Sequence, residues 1–553
     1  MKNEQNNPRI SKSTYGGFRG FLETMHKEQW FFLFCLFIIA MLPMWGVKMI
    51  TGDDFNYFMC AHPLFDFTNG FEMATYNGRF YFVLMQWVYS LPYVIDSHVY
   101  FCFMQIFPVF TSFFLFVWLV DRVLADRKFT LLAALFACVF YQMIPWHSMT
   151  VSHPFYFTFS LSLIFVAFHL IYSYFKTAKY LYLLVASVIF FIATLFYESY
   201  VMLYIVIFIF IVSQYSIKTI HKSHNIKKIT IELLPFVIFG LLYVAAYFIF
   251  LHFYPSRYPG SSFSPDLSLQ KFFKCINKLN RHAIPTNTFW DYRNWGFPSP
   301  KHVGFVSILK GLAALYFYLF LFRKFSTKLT YKQLICTSLL GVVIMYIPHF
   351  PLALSVQFTK TFFAGWVSTG VSFFGVLLLF ASIIFALNKL LSFNEIARKI
   401  TTLVIALSLF FVAVVVHEAN VGITNDLKRS NRKFDAVNEF LATYEIKTGD
   451  VYYLKNLHKT TSKFAPHVVP HNHWEKYFAR KGVIVTGYED YKKLYADYSN
   501  KDTIVHIIFL EQSAQGDDVV LSVAKVPGMQ LPLNIDDIQC DTVDVIHIMG
   551  EKP

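Results

Sequence analysis

Unbroken apolar runs, separated by short polar segments, fill the first three quarters of this chain. A run of about 18 or more mostly apolar residues, coiled as a helix, is long enough to cross the roughly 30 Å hydrocarbon core of a bilayer. About eleven runs qualify on that criterion, centred near residues 39, 109, 138, 164, 188, 206, 242, 313, 341, 377 and 408. The stretch from Tyr180 to Val212 is almost wholly apolar, and one helix over it would reach roughly 50 Å at 1.5 Å per residue. It is therefore predicted to form two short spans turning at "FYESY", with Glu198, the only ionised group of the run, at the turn. After about Val416 the pattern changes to polar sequence of mixed charge. There "NDLKRSNRKFDAVNEFLATYEI" has helical spacing, and "DTIVHIIFL" and "DDVVLSVAKV" read as strands bounded by Asp and Gly. The expected fold is a polytopic α-helical membrane protein with about eleven transmembrane helices and a small extracytoplasmic C-terminal α/β domain.

The connecting segments fall into two classes. "DRVLADRK", "KTAK", "IKTIHKSHNIKK", "RKFSTKLTYK" and "NKLLSFNEIARK" are short and basic. Residues 50–97, "PWHSMTVSHP", residues 253–303 and "HFPLALSVQFTKTFFAGW" are longer or aromatic. The classes alternate if "GRFYFVLMQWVYSLPYV" lies in the membrane interface, where Trp and Tyr are at home, rather than spanning it. Basic segments mark the cytoplasmic side. That leaves residues 1–28 cytoplasmic, 29–416 as the membrane domain, and 417–553 outside. The first apolar run, Trp30 to about Met49, follows five basic residues like a signal sequence. It is too long for one and lacks a cleavage site, so it is expected to stay as a span.

Composition agrees with this picture. The chain has 553 residues, 56% hydrophobic and only 15% charged, against roughly a quarter charged in soluble domains; its mean hydropathy is +0.46. The net charge of +14 is spread through the connecting segments rather than gathered in a nucleic-acid-binding module, so no nucleic acid partner is expected. The seven cysteines show neither metal spacing nor a disulfide framework, although Cys60 and Cys275 could pair outside. No phosphate-binding P-loop, dinucleotide fingerprint, H-E-x-x-H or CxxC is present.

Candidate chemistry collects in the segments assigned to the outer side. "ITGDDFNYF" puts Asp53 and Asp54 where the first span leaves the bilayer. A helix N-cap explains one aspartate well and the second poorly. "NGRF" follows, with Arg79. Residues 253–303 carry Arg257, Arg281 and Arg293 with Lys271, Lys274 and Lys278, suited to lipid headgroups or to a lipid phosphate. His147 and His153 lie in "PWHSMTVSHP". A first span ending in an acidic pair, a long external loop, alternating short spans and a soluble C-terminal part together resemble the GT-C superfamily of glycosyltransferases. The "DDF…NGRF" arrangement is similar to that of bacterial O-antigen glucosyltransferases and their relatives.

The resemblance implies a polyprenyl-phosphate-linked sugar as donor and a polysaccharide or glycolipid as acceptor, with surrounding membrane lipids as partners, in a bacterial inner membrane. It implies that Asp53 is the general base with Asp54 beside it and that Arg79 binds the substrate phosphate. The residues themselves add Glu198 as a further catalytic acid or a cap at a tight helix hairpin, and Arg257, Arg281, Arg293, His147 and His153 as substrate-binding candidates. A like charge beside Asp53 would raise its pKa and make it a better base near neutrality, and a guanidinium fork suits the leaving phosphate. The resemblance fixes no cofactor, and a divalent cation, magnesium or manganese, is compatible with the acidic pair. An O-antigen or capsule polymerase would rely on basic external loops without the early acidic pair. A lipid-linked sugar transporter or flippase would show paired repeats and broken spans.

Overall fold

The structure, a computed structural model, describes residues 27–47, 67–95, 97–143, 153, 155–215, 223–287, 303–360, 367–443, 447–455, 471–480, 482–488, 490–512, 519–538 and 546–548. Asp53, Asp54, His147 and Arg293 lie outside the described residues, as does Cys60. The chain divides into two units.

Unit 1 comprises Met1–Leu42, Phe67–Val88 and Phe103–Val421. Among the described residues eight helices are long and apolar enough to cross a membrane: Lys27–Met44, His98–Leu124, Tyr156–Thr177, Asn225–Phe253, Phe305–Phe322, Tyr331–Ala353, Thr369–Phe393 and Glu395–Arg429. The three remaining expected centres, near 138, 188 and 206, fall in shorter helices, Arg127–Phe140, Leu181–Thr194 and Tyr204–Ser213. The long apolar run breaks where expected. Between its two helices the chain tightens into a 3₁₀ turn, Glu198–Leu203. The run from Gly78 to Val94 supplies only the nine-residue helix Phe82–Ser90 and the short turn Leu91–Tyr93. At 1.5 Å per residue, about 14 Å of helix does not cross a bilayer.

We number the helices used below α1 (Phe67–Asn77), α2 (Arg127–Phe140), α3 (Ser223–Phe253), α4 (Leu269–Asn280), α5 (Phe305–Phe322), α6 (Tyr331–Tyr346), α7 (Thr369–Leu390) and α8 (Glu395–Thr443). Asp126 caps α2 by accepting from Phe129 N at 3.1 Å, while its other oxygen accepts from Thr327 Oγ1 at 2.6 Å and Lys328 N at 3.1 Å. Lys389 Nζ donates to Leu329 O. Three of the basic connecting segments thus meet at one end of unit 1. Helices α6 and α7 pack through Gly341 and Gly375: a Cβ on Gly341 would lie 2.7 Å from the Gly375 carbonyl oxygen, so only glycine permits this approach. Cys275 is a free, buried thiol whose Sγ donates to Phe358 O at 3.3 Å.

Unit 2 comprises Pro43–Asp66, Tyr89–Cys102 and Gly422–Pro553. Its strands β1 (Val451–Lys455), β2 (Thr486–Tyr488), β3 (Ile504–Gln512), β4 (Val519–Pro527) and β5 (Ile546–Ile548) form one mixed sheet in the order β2-β1-β3-β4-β5. β1 runs parallel to β2 and β3, while β3–β4 and β4–β5 are antiparallel. Val451, Val505, Ile507, Ala524 and Leu494 build the core beside it.

One polar contact is expected to make this sheet sensitive to acid. The ring of His506, on β3, is buried and its Nε2 lies 2.8 Å from Asp450 Oδ2. Burial lowers its pKa below the ordinary 6.5; Asp450 opposes that shift without cancelling it, and Lys525, paired opposite it on β4, adds to it. A base whose pKa is lower in the folded state lets the unfolded chain take the proton first. The stabilising contribution is therefore complete above about pH 6.5 and is lost as the pH falls through that value toward the lower folded one. Hydrogen exchange at β1 and β3 should accelerate between pH 7 and pH 5, after correction for intrinsic rates, and His506→Gln should flatten that dependence. A flat profile in the parent chain would remove His506 as the acid-sensitive group.

Candidate active site

The site begins with a glycine. Gly78, at the end of α1, has φ of +67°, a left-handed conformation that favours glycine. A Cβ there would also lie 2.6 Å from both Leu251 Cδ2 and Ser256 Cβ. The turn it makes is held from outside. Arg257 N donates to Tyr76 O at 3.1 Å, Ser256 Oγ to the same carbonyl at 3.3 Å, and Ser261 Oγ to Asn77 O at 2.5 Å. Residues 256–261 thereby satisfy carbonyls that the end of α1 leaves open. Arg79 N closes the turn onto Ala74 O at 2.9 Å.

This turn directs Arg79 inward. Its Nη2 donates to Glu198 Oε1, and Tyr81 Oη donates to Glu198 Oε2 at 2.6 Å. The ion-paired side chains are only 13% and 17% exposed. Glu198 is presented by the turn predicted at "FYESY". Tyr156 Oη holds that turn by donating to Phe196 O at 2.5 Å, and Ser160 Oγ donates to Tyr200 Oη at 3.1 Å. Aromatic rings wall the pair. Arg79 Cζ lies 5.3 Å from the Tyr258 ring centroid and 5.9 Å from that of Phe82, within cation–π range. Tyr243, on α3, packs on Phe80 at 5.7 Å.

Burial works against the charged guanidinium, but Glu198 and the surrounding tyrosines outweigh it and hold the Arg79 pKa well above the ordinary arginine value. The same burial, with Glu198 adjacent, pushes the Tyr197 phenol up. The pair does not use all the hydrogen-bonding capacity around it. Arg79 Nε and the hydroxyls of Tyr197 and Tyr243 are buried without a partner among the described residues. Chemically this is a fixed cation with a spare donor, held by an acid and ringed by phenols. It suits an oxyanion or a polyol, both rich in acceptors.

The expected residues separate accordingly. Arg79 and Glu198 come together. Arg257 contributes its backbone to the clamp while its side chain is exposed. His153 is buried with its ring 5.0 Å from Phe157, which in turn lies 5.2 Å from Tyr197, so it stands two rings away from the pair. Arg281 is exposed at the end of α4, where Leu279 O and His282 O accept from Thr369 and Gln142. Sequence reasoning did not single out Tyr81 or Tyr243. With 20% aromatic residues in the chain, no local signal distinguishes them from packing residues. Among the described residues no group of three or more His, Cys, Asp or Glu could hold a metal ion.

No family model matches the sequence, and no curated protein matches it. Among solved structures, the chain is similar to ArnT from Cupriavidus metallidurans bound to undecaprenyl phosphate. The TM-score is 0.36 and the identity 11%, over 88% of this chain and 94% of that one. A likeness this loose equates no residue of one chain with a residue of the other.

Proposed function

We propose that this chain is a GT-C-type membrane glycosyltransferase. It moves a sugar from a polyprenyl-phosphate carrier to an extracytoplasmic acceptor, a cell-surface polysaccharide or glycolipid, in a bacterial inner membrane. The observation that carries the reading is the buried Arg79–Glu198 pair with its spare donors, set by the "NGRF" turn that follows the acidic pair in the sequence.

In this mechanism the acceptor hydroxyl attacks the anomeric carbon and gives its proton to the Asp53 carboxylate. The bond from the anomeric carbon to the phosphate oxygen breaks, and its electron pair stays on the phosphate. A single displacement inverts the configuration. The leaving phosphodiester becomes a monoester and gains charge, so a fixed cation stabilises it more than protonation would. Arg79 supplies that cation, and Glu198 with Tyr81 holds the fork in place before substrate arrives. Asp54 orients the acceptor or Asp53 itself.

The test supplies the purified full-length chain, in lipid nanodiscs, with a panel of radiolabelled polyprenyl-phosphate sugars and membrane glycan extracts as acceptors. Label should pass from the lipid to the glycan fraction for at least one donor, and more slowly to water when acceptor is withheld. In sealed vesicles, movement of intact donors across the bilayer with no bond broken would identify a lipid-linked sugar flippase instead.

A further inference from the structure

A second polar centre lies elsewhere in unit 1, where α5 and α8 pack closely. A Cβ added to Gly311 would sit 2.8 Å from both Phe410 Cδ2 and Val414 Cγ2. One turn away, Gly304 N donates to Glu418 Oε1 at 2.8 Å and Ser307 Oγ donates to the same oxygen. Between these contacts stand two nitrogen-bearing side chains, Lys310 of α5 and His417 of α8, 0% and 2% exposed. Lys310 Nζ and His417 Nδ1 are both buried without a hydrogen-bond partner among the described residues. They stand on facing helices, Lys310 next to Gly311 and His417 next to Glu418, the residues whose contacts join α5 to α8.

The nearby polar groups direct their hydrogen bonds elsewhere. The Glu418 oxygen facing α5 is occupied at the start of that helix. Cys138, a buried thiol of α2, directs its Sγ to Leu33 O at 3.7 Å. Asn420 is spent on Met143 N at 2.8 Å and Tyr141 O at 2.9 Å. An unpaired ammonium inside a membrane-spanning helix is costly, and such groups are retained where a ligand or an ion path uses them. Depth narrows the choice. Helix α5 has 18 residues, about 27 Å at 1.5 Å per residue, close to the thickness of the hydrocarbon core. Lys310 is less than two turns from its Phe305 end, and a lysine stem can lift its ammonium toward headgroup level.

We infer that Lys310 and His417 form a binding site for a phosphate-class oxyanion at the headgroup level of the membrane. Two unpartnered nitrogens on facing helices offer donors to one ligand, and the oxyanion supplies a counter-charge. The site is separate from the Arg79–Glu198 pair and does not depend on glycosyl transfer. The anion could be a lipid headgroup or free phosphate.

Calorimetric titration of the full-length chain in phosphatidylcholine nanodiscs distinguishes these sources, with farnesyl phosphate, inorganic phosphate and the neutral alcohol farnesol as probes. The parent, Lys310→Met, Lys310→Arg, His417→Leu and Arg79→Gln chains are compared. Lys310→Met should lose one farnesyl phosphate site, or weaken it at least about tenfold, the loss expected for one charge-assisted hydrogen bond. Lys310→Arg should retain it, His417→Leu should weaken it, and farnesol should not discriminate among the chains. Lys310→Met should melt no lower than the parent, because it removes a buried unpaired cation. Equal binding of inorganic phosphate supports a free-anion site; preference for farnesyl phosphate supports a lipid-linked one. Unchanged phosphate binding in both Lys310→Met and His417→Leu overturns the inference. So does loss of binding in Arg79→Gln alone, which would leave the proposed active site standing without this one. Failure of Arg79→Gln to alter binding while Lys310→Met does so would have the opposite meaning.

Discussion

Asp53→Asn is expected to lower sugar transfer by on the order of a hundred- to ten-thousand-fold, the usual cost of removing a general base. The substitution keeps the size of the side chain and removes its ability to accept the acceptor's proton. Folding should barely change, because asparagine caps a helix as well as aspartate does. Donor binding should survive or tighten, since one negative charge near a phosphate disappears. Asp54→Asn should be milder if that residue orients rather than accepts. Asp66→Asn, in the same segment of the sequence, is the control and should stay active. Transfer rates and donor affinities of the purified variants separate chemistry from binding. Near-parental transfer by Asp53→Asn would reduce the acidic pair to a helix cap and take away the proposed base.

The membrane architecture was legible because bilayer thickness imposes a length that composition cannot hide. Each of the eight long apolar helices coincides with an apolar run in the sequence. The break at "FYESY" was legible for the same reason, since one helix over that run would overshoot the core. Helix ends were less so. Helix α8 continues unbroken from Glu395 to Thr443, well past the change of composition near Val416. Hydropathy marks where apolar sequence stops, whereas a helix stops only where capping and packing end it.

The site was legible one residue at a time. Glu198 stood out as a lone charge in an apolar run, and Arg79 through the "NGRF" that follows the acidic pair. Their pairing did not, because 119 residues separate them and either had other plausible partners. Lys310, though also the lone charge of its apolar run, and His417 were not singled out from the sequence. Lys310 is flanked by apolar sequence and His417 by Glu418 and Asn420, and only the packing of α5 on α8 shows that neither nitrogen finds a partner among the described residues.

The ion pair itself predicts the second large effect. Glu198→Ala should strand the Arg79 guanidinium in a largely buried site, and breaking a buried pair from one side costs roughly 3–5 kcal/mol. Arg79→Met should cost less in stability, because Glu198 keeps the Tyr81 hydroxyl and neutralises more readily than arginine. The double variant Arg79→Met with Glu198→Leu should recover much of the loss, since apolar side chains of similar volume often replace a buried pair at little cost. The resulting coupling should be positive and well above the few tenths of a kcal/mol seen between independent sites. Melting midpoints of the four chains in one detergent, read at a fixed scan rate, give the cycle. Transfer assays on the same samples then divide folding from function: the double variant should be folded, nearly as stable as the parent, and inactive. Additive, surface-like effects of about 0.5 kcal/mol or less would mean that the pair holds nothing together. A stable double variant with parental transfer would place the phosphate elsewhere and leave Arg79 as a packing residue.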